Sequence, residues 1–267
     1  MALFIGTGGT PISSKGRSTL SGLERIKELG LNAMEVEFVR GVNMKEDMAK
    51  EVGDLAKELK IKLSIHAPYY INLASGDKKK VNDSKRRIIE SCERGFDMGA
   101  EIIVFHPAYY GKLSKEECYH IVKRECESMV DTLRTKGIKN VLLGLETTGK
   151  KSQFGTLDEC IKIAKEVKGC MVVVDWAHIY ARNGGNVNFG EIIEKVMKVT
   201  KSIHSHFSCI NFSESGERNH LTLDAKKPDY SELVREIKHR KMDITLISES
   251  PNLEEDALYL KNMIESI

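Results

Sequence analysis

Eight times along the chain a short, β-branched apolar run is followed by an amphipathic helical stretch, and few folds accommodate that alternation. The runs are Leu3 to Ile5, Ala33 to Phe38, Leu63 to His66, Ile102 to His106, Val141 to Glu146, Met171 to Asp175, Ile203 to Phe207 and Ile244 to Glu249. Their continuous apolar character fits strands of a parallel sheet covered on both faces. The helices between them have readable ends. Leu20, Leu23, Ile26 and Leu29 form a stripe closed by Gly30, and Asp83 is the expected cap of a helix running to Met98 and Gly99. Ser114 opens a helix that stops near Gly137, Thr156 opens the next, and Leu253 to Ile267 forms the last. Eight such units predict an α/β (β/α)8 TIM barrel, with an open doubly wound sheet as the competitor, because strand count alone does not reveal closure. The 267 residues, 41% hydrophobic, suffice for one large core, and no linker interrupts them, so 1–267 reads as a single domain.

Charge excludes little. Lys and Arg number 41 against 39 Asp and Glu, for a net +2, so the chain carries no strongly basic nucleic-acid arm. No apolar run is long enough to span a bilayer, and Met1 to Gly6 lacks the pattern of a signal peptide. The six scattered cysteines form no CxxC pair and are expected as buried thiols in a reducing cytoplasm.

The polar residues are more informative. Six successive strands end in His66, His106, Glu146, Asp175, His206 and Glu249, just where each apolar run stops. In a barrel those ends meet around one axis, on the face where active sites of this architecture lie. Any one of them has an ordinary explanation as a hydrogen-bonded core residue or a loop cap. Together, such a gathering of imidazoles and carboxylates needs a compensating cation, because buried charge must be paired or metal-bound. Imidazoles mixed with carboxylates favour zinc, with manganese or iron as alternatives at one site. His178 follows Asp175 by three residues, and Gly216-Glu217-Arg218-Asn219-His220 adds a carboxylate and an imidazole after strand seven. His204 is expected one layer below His206, as its supporting partner or a packing residue rather than a ligand, while His120 and His239 sit on helices at the surface.

The loops after the strands carry Lys15, Arg17, Arg40, Lys78, Lys79, Lys80, Lys112, Lys150, Lys151, Arg182 and Arg218, a positive rim that would attract a polyanion. Tyr69 and Tyr70 follow His66 closely enough to wedge or stack beside a metal centre, and Tyr109 and Tyr110 follow His106 in the same way. Gly6 to Pro11 fails as a GxGxxG or P-loop and reads as a tight first loop.

Taken in order, HAPYYINLAS from His66, FHPAYYG from Phe105, LETTGKKSQFGT from Leu145, VVDWAH from Val173 and SESPN from Ser248 resemble endonuclease IV, the zinc-dependent apurinic/apyrimidinic endonuclease family. The likeness covers essentially the whole chain. It implies His66, His106 and Glu146 on a first metal, with Glu146 bridging to a second that Asp175, His206 and Glu249 complete. A third would sit on His178 with Glu217 and His220, for two or three Zn2+ in all. Glu146 and Glu249 would be the catalytic carboxylates, Glu249 also orienting the nucleophile. Tyr69, Tyr70 and Arg40 match the family's contacts to duplex DNA carrying abasic or 3′-blocked lesions, and Lys150, Lys151, Arg182 and Arg218 of the positive rim are expected to join them. The resemblance also implies a monomer, while the cysteines and the lack of a long apolar run are what suggest a cytoplasmic protein without membrane contact. The chain departs from the family in two places. The family's Asp-Arg-His is replaced by Glu217-Arg218-Asn219-His220 in a shorter loop, and its Leu-Asn-Asp after the strand-seven histidine by Phe207-Ser208-Cys209. A metal-dependent sugar isomerase or epimerase is the rival reading, motivated by Glu35 and Glu37 on strand two; a silent damage-binding protein is another.

Overall fold

The computed structural model describes residues 2–266 and contains a closed ring of eight parallel strands. In chain order these are β1 (Leu3–Gly8), β2 (Ala33–Glu37), β3 (Lys62–His66), β4 (Ile102–Phe105), β5 (Leu142–Glu146), β6 (Cys170–Asp175), β7 (Ser202–Phe207) and β8 (Asp243–Ser248). Pairing of β1 with β8, from Leu3↔Ile244 to Thr7↔Ser248, and with β2 on its other side closes the ring, which excludes the open sheet. The strands fall where the apolar runs placed them, each shifted by a residue or more at one end, and the last by one residue at both. Gly6 to Gly8, expected in a loop, extend β1.

The helices α1 (Thr19–Glu28), α2 (Glu46–Leu59), α3 (Lys78–Met98), α4 (Lys115–Thr135), α5 (Leu157–Glu166), α6 (Trp176–Arg182), α7 (Phe189–Met197), α8 (Ser231–Arg240) and α9 (Glu254–Glu265) surround the ring. Reciprocal capping boxes, Ser114 with Glu117 and Thr156 with Glu159, begin α4 and α5 where the sequence placed their starts. The start of α3 corrects the reading. Asp77, not Asp83, is its cap, and its carboxylate accepts from the Lys79 amide at 2.9 Å. Lys78, Lys79 and Lys80 therefore form the first helical turn rather than a loop. Lysine is a good helix former but is unfavourable against a helix N-terminus, so a run of three there masks the boundary. Ile267, the expected end of the last helix, lies outside the described residues.

The main core packs strands against helices, while Ile102, Val104, Met171 and Val173, with Leu142 against them, form a separate apolar cluster inside the ring. All six cysteines are buried and free. No described helix is long and apolar enough to cross a membrane.

Candidate metal centre

Strand geometry delivers the polar residues to one place. Side chains alternate along a strand, so the parity that sends Ile102 and Val104 into the barrel also sends His106 there, and that of Met171 and Val173 sends Asp175. The same alternation carries His66 on β3, Glu146 on β5, His206 on β7 and Glu249 just after β8 to the carboxyl-end mouth. They meet around a cavity of about 410 Å³ whose lining includes Glu37, His66, His106, His178, Glu217, His220 and Glu249.

Glu146 is the hub. Its Oε2 lies 2.9 Å from His106 Nε2 and 3.2 Å from His66 Nε2, and its Oε1 lies 3.1 Å from His178 Nδ1 and 3.5 Å from His206 Nδ1. His206 Nδ1 is also 3.2 Å from Glu249 Oε1. Among the described residues, five sets hold ligand atoms within 4.8 Å of one another. Three of them are His66, His106 and Glu146; Glu146, Asp175, His206 and Glu249; and His178, Glu217 and His220. The other two involve Glu35, with His204 and His206 or with Glu37 and Glu249. Atoms sharing a tetrahedral cation at ~2.0–2.2 Å lie about 3.3–3.6 Å apart, close to several of these separations.

The surroundings prepare these groups as ligands. His66 Nδ1 lies 2.8 Å from the Ala67 carbonyl, which fixes Nδ1 as a donor and points Nε2 at Glu146. His178 Nδ1 lies 3.0 Å from the Thr147 carbonyl, leaving Nε2 to face Glu217 at 3.5 Å. His220 Nδ1 is 2.7 Å from Ser208 Oγ. Behind His206 stands the wholly buried Glu35. Its Oε1 is 2.8 Å from His206 Nε2, and its Oε2 accepts from Ser64 Oγ at 2.6 Å and lies 3.0 Å from His204 Nε2. Glu35 Oε1 and His206 Nε2 face each other without a well-formed hydrogen bond, so the support is electrostatic: the carboxylate charge raises the basicity of the ring. His204 thus supports from below, as its spacing from His206 predicted.

The donor set fits divalent cations on two further grounds. Glu146 Oε1, Asp175 Oδ2 and His206 Nδ1 are buried and lack a hydrogen-bond partner among the described residues. Burial also strains their protonation equilibria. It pushes the Glu37 carboxyl up to about 8 and that of Asp175 up to about 7. It opposes charge on His206 too, but Glu249, Glu35 and Glu146 override it and hold that imidazole well above its usual range. A cation bound here would displace those protons, so its affinity would rise with pH.

The third set is built differently. Glu217 and His220 sit on a hairpin, Cys209–Ser213 paired with Gly216–Leu221, and His178 on α6. Residues three apart on a regular strand face opposite sides, so Glu217 and His220 should diverge. The register shifts, however: Phe212 pairs with Glu217 and Asn211 with Asn219, leaving Arg218 as the extra residue of a β-bulge. The bulge returns both ligands to one face. Against the Asp-Arg-His pattern, whose alternate residues share a face without help, the additional residue is absorbed by a local kink. Close approach makes this possible. A Cβ on Gly149 would stand 2.6 Å from Glu217 Cβ, and Gly216, at φ +102°, would place one 2.2 Å from the Gly149 carbonyl.

The expected nucleic-acid contacts divide. Tyr69 and Tyr70 are 57% and 67% exposed at the rim, with the Tyr69 ring 5.8 Å from that of His66. Arg40, Lys150, Lys151 and Arg218 are exposed as well, and Lys150 lines the cavity. Of the tyrosines after His106, Tyr109 is exposed, whereas Tyr110 is buried and donates to Glu159. Arg182, expected among the DNA contacts, turns its guanidinium onto the protein, with Nη1 and Nη2 donating to Thr148, Lys150 and Gln153. Arg87 was not singled out; it donates to the Tyr70 carbonyl at 2.9 Å and holds the tyrosine loop. Glu37, which with Glu35 motivated the rival reading, lines the cavity as its shared parity with Glu35 along β2 dictates.

Comparison with known proteins places this geometry. The family described as xylose isomerase-like TIM barrel matches residues 23–266. An uncharacterized protein of Methanocaldococcus jannaschii is 40% identical, covering 97% of this chain and 95% of its own. A probable endonuclease 4 of Aquifex aeolicus is 27% identical over 82% of this chain and 81% of its own. Two further endonuclease relatives, from Caenorhabditis elegans and Mesomycoplasma hyopneumoniae, match half of this chain and 34% and 48% of their own lengths. Among solved structures, a D-tagatose 3-epimerase-like protein superposes with a TM-score of 0.74 at 20% identity, covering 100% of this chain and 96% of its own. Endonuclease IV from Thermus thermophilus does so with a TM-score of 0.71 at 19% identity, covering 98% and 100%. At those identities the structural likeness speaks to the fold alone.

Proposed function

The chain belongs to the xylose isomerase-like TIM-barrel family, and we propose that within it this protein is a metal-dependent endonuclease that hydrolyses the phosphodiester 5′ to abasic sites in duplex DNA. The observation that carries the reading is the joining of three ligand sets through Glu146 and its neighbours at one cavity. The relatives named endonuclease 4 support it. A single-metal sugar enzyme needs far fewer imidazoles. Divalent cations, zinc by donor chemistry, would supply Lewis acidity for attack on the phosphodiester and for charge on the leaving oxygen.

The chain's own groups do the rest. Glu146 fixes the spacing between the first two ligand sets, and Glu249, partly exposed on the cavity side, is placed to accept a proton from the attacking water. Tyr69 and Tyr70, exposed at the rim, would serve as the wedge into the minor groove. An abasic nucleotide has lost its stacking and pairing, so turning it into the cavity costs less than flipping an intact one. Lys150 lies on the cavity wall for a flanking phosphate.

One observation favours a second reading, a metal-dependent sugar epimerase. Glu37 presents a carboxylate to the cavity beside Glu249, the kind of pair that moves a proton on a carbon acid. The test is incision of a duplex bearing one abasic site, with and without chelator, beside a ketose epimerisation assay. Chelator-sensitive cleavage leaving a 3′-hydroxyl is the expected result. Intact duplex together with sugar turnover would transfer the case to the epimerase.

A further inference from the structure

Arg182 stands one helical turn beyond His178, on the same face of α6. Its Nη1 donates to the Lys150 carbonyl at 2.6 Å, to Thr148 Oγ1 at 3.0 Å and to the Thr148 carbonyl at 3.2 Å. Its Nη2 donates to the Gln153 carbonyl at 2.9 Å and lies 3.5 Å from Tyr110 Oη, whose hydroxyl donates in turn to Glu159. One guanidinium therefore gathers the turn that follows β5.

That turn is the seat of the bulged hairpin. The Gly149 carbonyl accepts from the Glu217 amide at 3.2 Å, Lys151 donates from its amide to the Ser215 carbonyl at 3.1 Å, and Lys150 bridges to Gly216. An unbroken path of hydrogen bonds thus runs from α6, which carries His178, through Arg182 and the 148–153 turn, to the strand that carries Glu217 and His220.

We propose that Arg182 is the positioning residue of the third cation: it sets the distance between His178 and the Glu217–His220 pair without touching the ion. This rests on the three-cation reading above. Only a planar fork reaches carbonyls at 148, 150 and 153 together, and lysine, a point donor on a flexible stem, cannot replace it. The strand-borne sets do not depend on the turn in this way, because their ligands leave the barrel directly.

The test is a zinc titration of the chelator-stripped, full-length protein against a chromophoric competitor, for wild type, Arg182→Ala and Arg182→Lys, with circular dichroism and melting recorded on each. Wild type should take up three equivalents. Both variants should fold and fill two with unchanged affinity, the third weakening roughly 10–100-fold, as for other groups that orient ligands. Should the alanine variant not fold, the lysine variant, which keeps charge and bulk, decides alone. A folded variant that fills the third place as tightly as wild type overturns the proposal while leaving the three-cation reading intact. A wild type that saturates at two equivalents overturns both.

Discussion

The two halves of the candidate metal centre are built on different principles. One half, His66, His106, Glu146, Asp175, His206 and Glu249, hangs from barrel strands or the residue just past them. Its geometry follows from alternation and from the pairing that aligns β3 through β8. The other half, His178, Glu217 and His220, is assembled from a short helix and a hairpin, and is held by the Arg182 turn and two close glycine contacts. Glu146, Asp175 and His206 are fully buried, whereas Glu217 and His220 remain partly open to solvent. A ligand on a strand inherits its position from the sheet. One on a loop must have its position made locally, and there a family pattern can change length and still converge.

The contrast predicts a graded series of effects. Glu146→Ala removes the group shared between the strand-borne sets. Incision should fall by at least about 10³-fold, the upper scale for a single catalytic electrostatic group. Zinc content should drop by two equivalents while circular dichroism stays that of a folded barrel. His220→Ala strikes the loop-built half alone. It should remove one equivalent and cost on the order of 10²-fold in incision, and loss of all zinc in this variant would break the division into halves. Glu35→Gln leaves every ligand in place but withdraws the charge behind His206; zinc affinity of the strand-built half should fall roughly 10–100-fold by competitive titration, with the third place unaffected. Replacing Tyr69 and Tyr70 together with alanine should weaken incision about 10-fold, in line with ~1–3 kcal/mol for an aromatic that stacks on a base, and leave zinc content unchanged. Equal activity in that double variant would remove the wedge.

The same contrast explains what could be read without coordinates. The barrel and the strand-borne polar groups were legible because a two-residue period maps onto a strand with no further information. His204 beneath His206 follows from the same rule. The convergence of Glu217 and His220 was not legible from geometry, because their spacing contradicts a regular strand and the bulge at Arg218 depends on how the hairpin pairs. The inward turn of Arg182 was hidden for a related reason: an arginine in a basic loop cluster looks the same in sequence whether it faces a phosphate or the protein's own carbonyls. Asp77 was overlooked because the three lysines after it resemble a solvated loop, although the helix they open packs along its length.

Anomalous diffraction at the zinc edge from zinc-loaded crystals tests the central claim most directly. The account predicts a peak among His66, His106 and Glu146, a second among Glu146, Asp175, His206 and Glu249, and a third among His178, Glu217 and His220. A single peak on Glu146, Asp175, His206 and Glu249, with the other positions empty at saturating zinc, would contradict it and describe a one-metal enzyme instead.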